Sequence, residues 1–420
     1  MRMWIKLLLP LALLSCARAQ AVSPDPVRPG IEVLRDRGFS GLEGKRVALL
    51  TNPSGVDREL RSTIDILYDA PQVNLVALFA PEHGVRGDVY AGAKVDDTRD
   101  ARTGLPVYSL YGSTRQPTPK MLEGIDVVVY DIQDVGARSY TFISTLGLMM
   151  RSCAPLGIEV MVLDRPNPLG GLKIEGAYVQ PEFHSFVGQY RIPYMYGLTV
   201  GELARMINEE GLNRGQNGKE MPLRCKLTVV PMEGWTRDMT FEKTGLPWVP
   251  PSPNIPYPQN AVNYPCSGLA GEFYGYLNIG IGYTLPFSTF AAEWIDADQL
   301  KQRLDAFGVP GVAWRTIHYT PSYGSNAGKL IHGVQFHFTD YDAAPLTKLQ
   351  FYVIQAVWEL YKKNPFEMSE GRLAMFDKVC GTDYVRTVFG KSLDVKDLFP
   401  YWDKDIDDFR TLSKKYYIYN

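Results

Sequence analysis

Val127-Val128-Val129-Tyr130 runs directly into Asp131-Ile132-Gln133-Asp134-Val135-Gly136-Ala137-Arg138. Four β-favouring residues with no polar alternation describe a strand buried on both faces, as inside a parallel sheet. The strand gives way to a segment carrying two carboxylates, an amide and a guanidinium. The pattern recurs on both sides. Residues 47–50 are apolar and end in Thr51-Asn52-Pro53-Ser54-Gly55. Residues 75–79 end in Pro81-Glu82-His83-Gly84, and residues 160–163 in Asp164-Arg165-Pro166-Asn167-Pro168. In open parallel sheets, ligands lie outside the carboxyl ends of the strands. Four strand ends with this chemistry are therefore expected to assemble one site.

Helical segments separate these strands. Residues 59–68 place Leu60, Ile64 and Leu67 on one face, and 139–154 read as a second helix. A short helix is expected at 118–123, stopped by Gly124. Thr199 and Glu202 form a capping-box signature for a helix through Glu210. Residues 227–231 supply a further strand. The β-α-β-α order implies a Rossmann-like, doubly wound, mostly parallel sheet with right-handed crossovers. Near Trp248-Val249-Pro250-Pro251-Ser252-Pro253-Asn254-Ile255-Pro256 the texture changes to an extended, proline-rich linker. Beyond it a helix (299–307), two strands (312–319 and 330–338) and an amphipathic helix (346–363) suggest a second, smaller α+β domain. The expected division is a catalytic domain over 24–250 and a C-terminal domain over 256–420 that flanks the cleft.

The bulk composition is that of a globular protein. At 420 residues, with 45% hydrophobic and 21% charged, two domains with ordinary cores are expected. A net charge of −2 disfavours nucleic acid as a partner. The N-terminus is more specific. Arg2 and Lys6 precede an apolar run over residues 7–14, too short to span a membrane and right for a secretory signal over 1–20. Ala17-Arg18-Ala19 suits signal peptidase, whereas Leu13-Leu14-Ser15-Cys16 resembles a lipobox with Cys16 as lipid-bearing terminus. Either route predicts export to the periplasm or cell envelope, with membrane attachment only through Cys16. The other cysteines, Cys153, Cys225, Cys266 and Cys380, are widely and irregularly spaced and read mostly as buried thiols.

The first strand–helix turn carries no G-x-G-x-x-G and no P-loop, so no nucleotide cofactor is expected. Instead Thr51, Asn52 and Ser54 offer polar side chains to an uncharged ligand, or simply build the turn. Glu82, at a strand end among apolar residues, has the setting of a general acid. Its structural alternative is an ion pair with Arg86 or Arg99. Asp131 or Asp134 could supply the second carboxylate common in glycoside hydrolysis, or accept amide hydrogen bonds from the adjoining turn. Arg138 and Tyr140 could meet a carboxylate and a sugar face. The five histidines show no ligand spacing, so no metal is expected, and no G-x-S-x-G elbow is present.

These blocks, Phe79-Ala80-Pro81-Glu82-His83-Gly84, Asp131 to Arg138, Leu163 to Pro168, Gly201-Glu202-Leu203-Ala204 and Pro251-Ser252-Pro253-Asn254, resemble in order the signatures of the DUF1343 family. These are the bacterial exo-β-N-acetylmuramidases of the NamZ type. The resemblance spans about residues 31 to 410. It implies a Rossmann-like catalytic domain and release of terminal N-acetylmuramic acid, or a related amino sugar, from peptidoglycan fragments. It carries the catalytic carboxylate to Glu82, with His83, Gln133 and Asp134 ordering the sugar or a water. Thr51, Asn52, Ser54, Arg138, Tyr140, Asp164, Arg165, Asn167 and Asn254 would complete the substrate site. The chain departs from the family at Met195-Tyr196-Gly197-Leu198-Thr199, where Arg-His-Gly-Met-Thr is usual. It departs again at Ile281, where an Arg is usual. Tyr276 and Tyr283 suggest a reshaped sugar subsite. A non-catalytic glycan-binding lipoprotein and a hydrolase of another bond are the rival readings. Inverting, retaining and substrate-assisted mechanisms all remain open.

Overall fold

The computed structural model describes residues 26–82, 84–87, 98–111, 114–214, 219–368 and 370–420. The signal segment with Cys16, and His83, lie outside them. The first domain is built on seven strands: β1 (Arg46–Thr51), β2 (Asn74–Ala80), β3 (Thr98–Arg99), β4 (Pro106–Ser109), β5 (Val127–Asp131), β6 (Glu159–Leu163) and β7 (Lys226–Val230). Their order is β3-β4-β2-β1-β5-β6-β7, parallel throughout except for β3, which pairs antiparallel with β4. The six parallel strands thus follow the doubly wound order, with the direction of winding reversing between β1 and β5.

The apolar strands sort their side chains by the two-residue period. Ala48, Leu50, Val128, Tyr130, Val160 and Val162 pack on α3 (Phe142–Cys153) and α4 (Val200–Glu209). Val47, Leu49, Val127, Val129, Met161 and Leu163 pack against α1 (Gly30–Asp36) and α2 (Thr63–Asp69). Both faces are dry, which is why the strands read as unbroken apolar runs. Full burial of each such side chain stabilises by about 1.5–3 kcal/mol. The capping box at α4 forms as the sequence implies: Thr199 accepts from the Glu202 amide and Glu202 from the Thr199 amide. The cysteines Cys153, Cys225, Cys266 and Cys380 are buried free thiols.

Two expectations need correction. The first helix after β1 starts at Thr63, capped by Ser62, not at residue 59. Asp57 accepts the amides of Glu59 and Arg61, and this tight turn leaves Leu60 at φ 64° and exposed. A local carboxylate–amide turn outcompetes helix there. Residues 118–123 form successive turns rather than a helix.

The second domain packs α5 (Pro258–Gly271), α6 (Ala297–Ala306) and α7 (Leu349–Tyr361) with a small antiparallel sheet. Its strands are β8 (Thr289–Ala292), β9 (Val312–Tyr319) and β10 (Ile331–Phe338), in the order β8-β10-β9. The chain then returns to the first domain. Phe409 and Tyr416 join the core beside α3 and α4, and Tyr419 donates to Asp164. Among the described residues no helix is long and apolar enough to cross a membrane.

Candidate active site

The crevice at the β1/β5 switch point is floored by a polar mesh. Thr51 at the end of β1 donates to the Asp131 carbonyl at 2.7 Å. Asn52 Oδ1 accepts from the Ser54 amide and hydroxyl, and Ser54 Oγ in turn accepts the Gln133 amide at 2.9 Å. Gln133 Nε2 donates to the carbonyls of Asp134 and Pro166 at 2.8 and 2.7 Å. Asn52 Nδ2 reaches the Pro251 carbonyl at 3.2 Å, which pins the interdomain linker across the strand ends. All four side chains are buried. The hollow bordered by Ser54, Gln133 and Arg165 measures about 10 Å³, far below the size of a sugar site. These residues hold the floor rigid, and their polar atoms are largely occupied by one another.

Glu82 lies just beyond β2 and is half-buried. The Tyr111 hydroxyl hydrogen-bonds it, and its charge also reaches the hydroxyls of Tyr140 and Tyr264. Arg86 pairs instead with Asp100 and Asp65, and Arg99 donates to the Gly104 carbonyl. The ion pair considered for Glu82 is thus not the use these two arginines find.

Asp134 is buried beneath this group. Its Oδ2 accepts from the Gly136 amide and the Tyr196 hydroxyl, while Oδ1 has no protein partner among the described residues. Burial pushes its carboxyl up to about 6, against the lowering effect of the Tyr196 and backbone donors. Tyr140 stands where both Asp134 and Glu82 influence its hydroxyl, which lies by Ser252 without a well-formed hydrogen bond. Asp134 is only 3% exposed, and the groups it holds are Gly136 and Tyr196. Gly136 turns the chain at φ 78°, and a Cβ there would meet Asn167 Oδ1 at 2.3 Å. That explains the glycine between Asp134 and the next helix.

Several residues expected at the substrate are built into the scaffold. Arg138 is fully buried and donates to the carbonyls of Ala177, Ile192 and Cys380 at 2.9, 2.6 and 2.6 Å. It joins the two domains through Cys380, and burial lowers its guanidinium to about 10. Arg165 holds Asp131 through two contacts at 2.5 and 2.9 Å. Asp164 accepts from the Gly201 amide, Thr199 and Tyr419, and burial raises it to about 6. Asn167 bridges the Leu198 carbonyl and the Leu169 amide. All four carry groups that the buried interior must satisfy, and their partners here are protein groups. Asn254 does face the other domain, where it accepts from Tyr323 at 2.9 Å.

Of the positions where the chain leaves the family pattern, Tyr196 falls on the site, as the donor to Asp134. Tyr276 does not: it packs beside Phe273 and Trp294 and donates to the Lys363 carbonyl. Tyr283 stacks on Tyr319. Ile281 borders a separate hollow with Leu277 and Ile279. Sequence reasoning missed Tyr111 and Tyr264, which come to Glu82 from distant segments, and Tyr323, which meets Asn254 from the second domain. The chain's 25 tyrosines are the only trace of them in the sequence. Among the described residues no cluster of three metal-ligating side chains occurs.

A doubly wound domain with a half-buried carboxyl, Glu82, just past the carboxyl end of a strand, joined to a second domain by a pinned linker, is the build of an enzyme, here a glycoside hydrolase. The chain belongs to the NamZ family. The family's N-terminal domain, described as that of exo-β-N-acetylmuramidase NamZ, matches residues 47–259, and its C-terminal domain matches 262–419. A peptidoglycan β-N-acetylmuramidase NamZ of Bacillus subtilis is 41% identical over 403 residues, 96% of this chain and 94% of that protein. Two solved DUF1343 family proteins of Bacteroides fragilis share the fold. One has a TM-score of 0.87 at 51% identity, the other 0.74 at 29%, and each match covers 94% of this chain and 99% of the solved one.

Proposed function

We propose that this protein is an exo-acting glycoside hydrolase that releases terminal N-acetylmuramic acid, or a closely related amino sugar, from peptidoglycan fragments. The observation that carries the reading is the setting of Glu82. It is a half-buried carboxyl at the carboxyl edge of the sheet, bonded to Tyr111 and ringed by Tyr140 and Tyr264, in a chain 41% identical to a muramidase. Tyrosine rings suit the apolar face of a pyranose, and their hydroxyls suit its rim. Glu82 acts as general acid. As the bond from the anomeric carbon to the glycosidic oxygen breaks, its proton passes to that oxygen, and a water ultimately supplies hydroxyl to the anomeric carbon. His83, the next residue in the chain and outside the described residues, is proposed to order the sugar or the attacking water. Asp134 positions Tyr196 and, through its charge, Tyr140. The N-terminal signal or lipobox at Cys16 fits delivery of such an enzyme to the envelope.

Chromogenic β-N-acetylmuramide and β-N-acetylglucosaminide, assayed in parallel, test this. Release from the muramide is expected. Binding of peptidoglycan disaccharide without release from either substrate would instead support a non-hydrolytic glycan-binding protein.

A further inference from the structure

A cavity of about 300 Å³ opens beside the Glu82 cluster, bordered by Arg115, Leu148, Arg151, Ser185, Phe186 and Gln189. That is the size of a small-ligand site. It adjoins the acid through aromatic contact: the Phe186 ring lies 6.5 Å from that of Tyr111, whose hydroxyl bonds Glu82. Arg115 sits over Phe186 at 4.3 Å and over Tyr111 at 5.6 Å, which aligns its guanidinium along the cavity wall. Arg151 approaches from the last turn of α3.

Gln189 is the unusual member. It is 8% exposed, yet neither its Oε1 nor its Nε2 has a partner among the described residues. A buried carboxamide with both ends unmet costs about 1–3 kcal/mol for each group left unpaired. Such a group calls for a partner, and a ligand in this cavity would supply one. Gln189 Nε2 stands over Gly147 of α3, 3.2 Å from where a Cβ would be, although it is the Tyr190 hydroxyl, at 1.6 Å from that point, that requires the glycine. A carboxamide presenting one donor and one acceptor matches a secondary amide. Two guanidinium groups match a carboxylate.

We propose that this cavity is the recognition subsite for an acidic N-acetylated amino sugar. Arg115 and Arg151 take a carboxylate borne on the sugar, Gln189 pairs with the acetamido group, and Phe186 and Leu148 cover the apolar face. This rests on the hydrolase reading above and assigns its specificity to named residues. It also moves the carboxylate contact away from Ile281, which borders a different hollow on the second domain.

The test is calorimetry on the Glu82→Gln protein with three ligands: N-acetylmuramic acid, N-acetylglucosamine and a muramoyl dipeptide. In the dipeptide the sugar's own carboxylate is an amide and the charge lies further out. N-acetylmuramic acid is expected to bind about ten- to a hundredfold more tightly than N-acetylglucosamine, the range of one charge-assisted hydrogen bond. Arg115→Gln and Arg151→Gln should each remove most of that preference and leave N-acetylglucosamine unaffected. Gln189→Leu should weaken both monosaccharides alike. Tighter binding of the dipeptide than of N-acetylmuramic acid would overturn the assignment to a sugar-borne carboxylate. Equal affinity for the two monosaccharides, or a preference untouched by substitution of the exposed Arg115, would overturn the subsite. Failure of the hydrolase reading shows separately, as absence of turnover by the wild type.

Discussion

Asp134→Asn is expected to change how stability depends on pH, and the structure sets the size of the effect. Burial raises the Asp134 carboxyl from 3.8 in the unfolded chain to about 6 in the fold. Below about pH 4 both states are protonated and nothing is lost. Between these values the folded protein binds a proton that the unfolded chain has released, so stability falls as pH rises. Above about pH 6 the fold carries a buried charge with one unpartnered oxygen. About two units at about 1.4 kcal/mol each make the total loss about 3 kcal/mol. The asparagine cannot titrate, so this slope disappears. Its buried amide adds a penalty that is the same at every pH. The informative quantity is thus the difference between variant and wild type, in which Asp164, also raised to about 6, cancels. Urea unfolding of both proteins from about pH 4 to 7.5 measures it. The variant should gain about 3 kcal/mol relative to wild type across that range. A difference that stays constant with pH would refute the placement of a titrating carboxyl at this position.

Arg138→Met removes the donor to three buried carbonyls and the link through Cys380. It should destabilise by about 3 kcal/mol or more, read by chemical denaturation, with no effect on the sugar preference of the folded fraction. Asp131→Ala leaves Arg165 charged and buried without its partner and should cost about 3–5 kcal/mol. Adding Arg165→Met should restore most of it, and a double variant as unstable as the single would refute the pairing argument. Leu60→Gly relieves an exposed left-handed residue and should raise stability by about 1 kcal/mol in the same assay.

The sheet was legible because its strands are buried on both faces and so carry unbroken apolar runs, as residues 127–130 show. The capping box at Thr199 was legible because two side chains three residues apart determine it locally. The start of α2 was not, since Leu60 fits a helical stripe while Asp57 imposes a turn that periodicity does not register. The place of Glu82 just beyond a strand end was legible, but polar residues after strands serve two ends that look alike in sequence. Asp164, Asn167 and Arg165 satisfy buried backbone and a buried carboxylate, which only the tertiary partners Gly201, Leu198 and Asp131 reveal. Arg138 resembled a ligand for a carboxylate until its carbonyl partners, from segments about 40 to 240 residues away, came into view. Of the tyrosines around Glu82, Tyr140 was legible beside Arg138, whereas Tyr111 and Tyr264 were invisible for the same reason.

The central claim is that Glu82 delivers the proton to the leaving oxygen. The measurement is turnover of the chromogenic muramide by wild type and Glu82→Gln, with ligand affinity and melting temperature recorded on the same preparations. The account predicts a fall in kcat of about 10²–10⁴-fold, with N-acetylmuramic acid still bound and the fold intact. A Glu82→Gln protein that keeps wild-type turnover would contradict it.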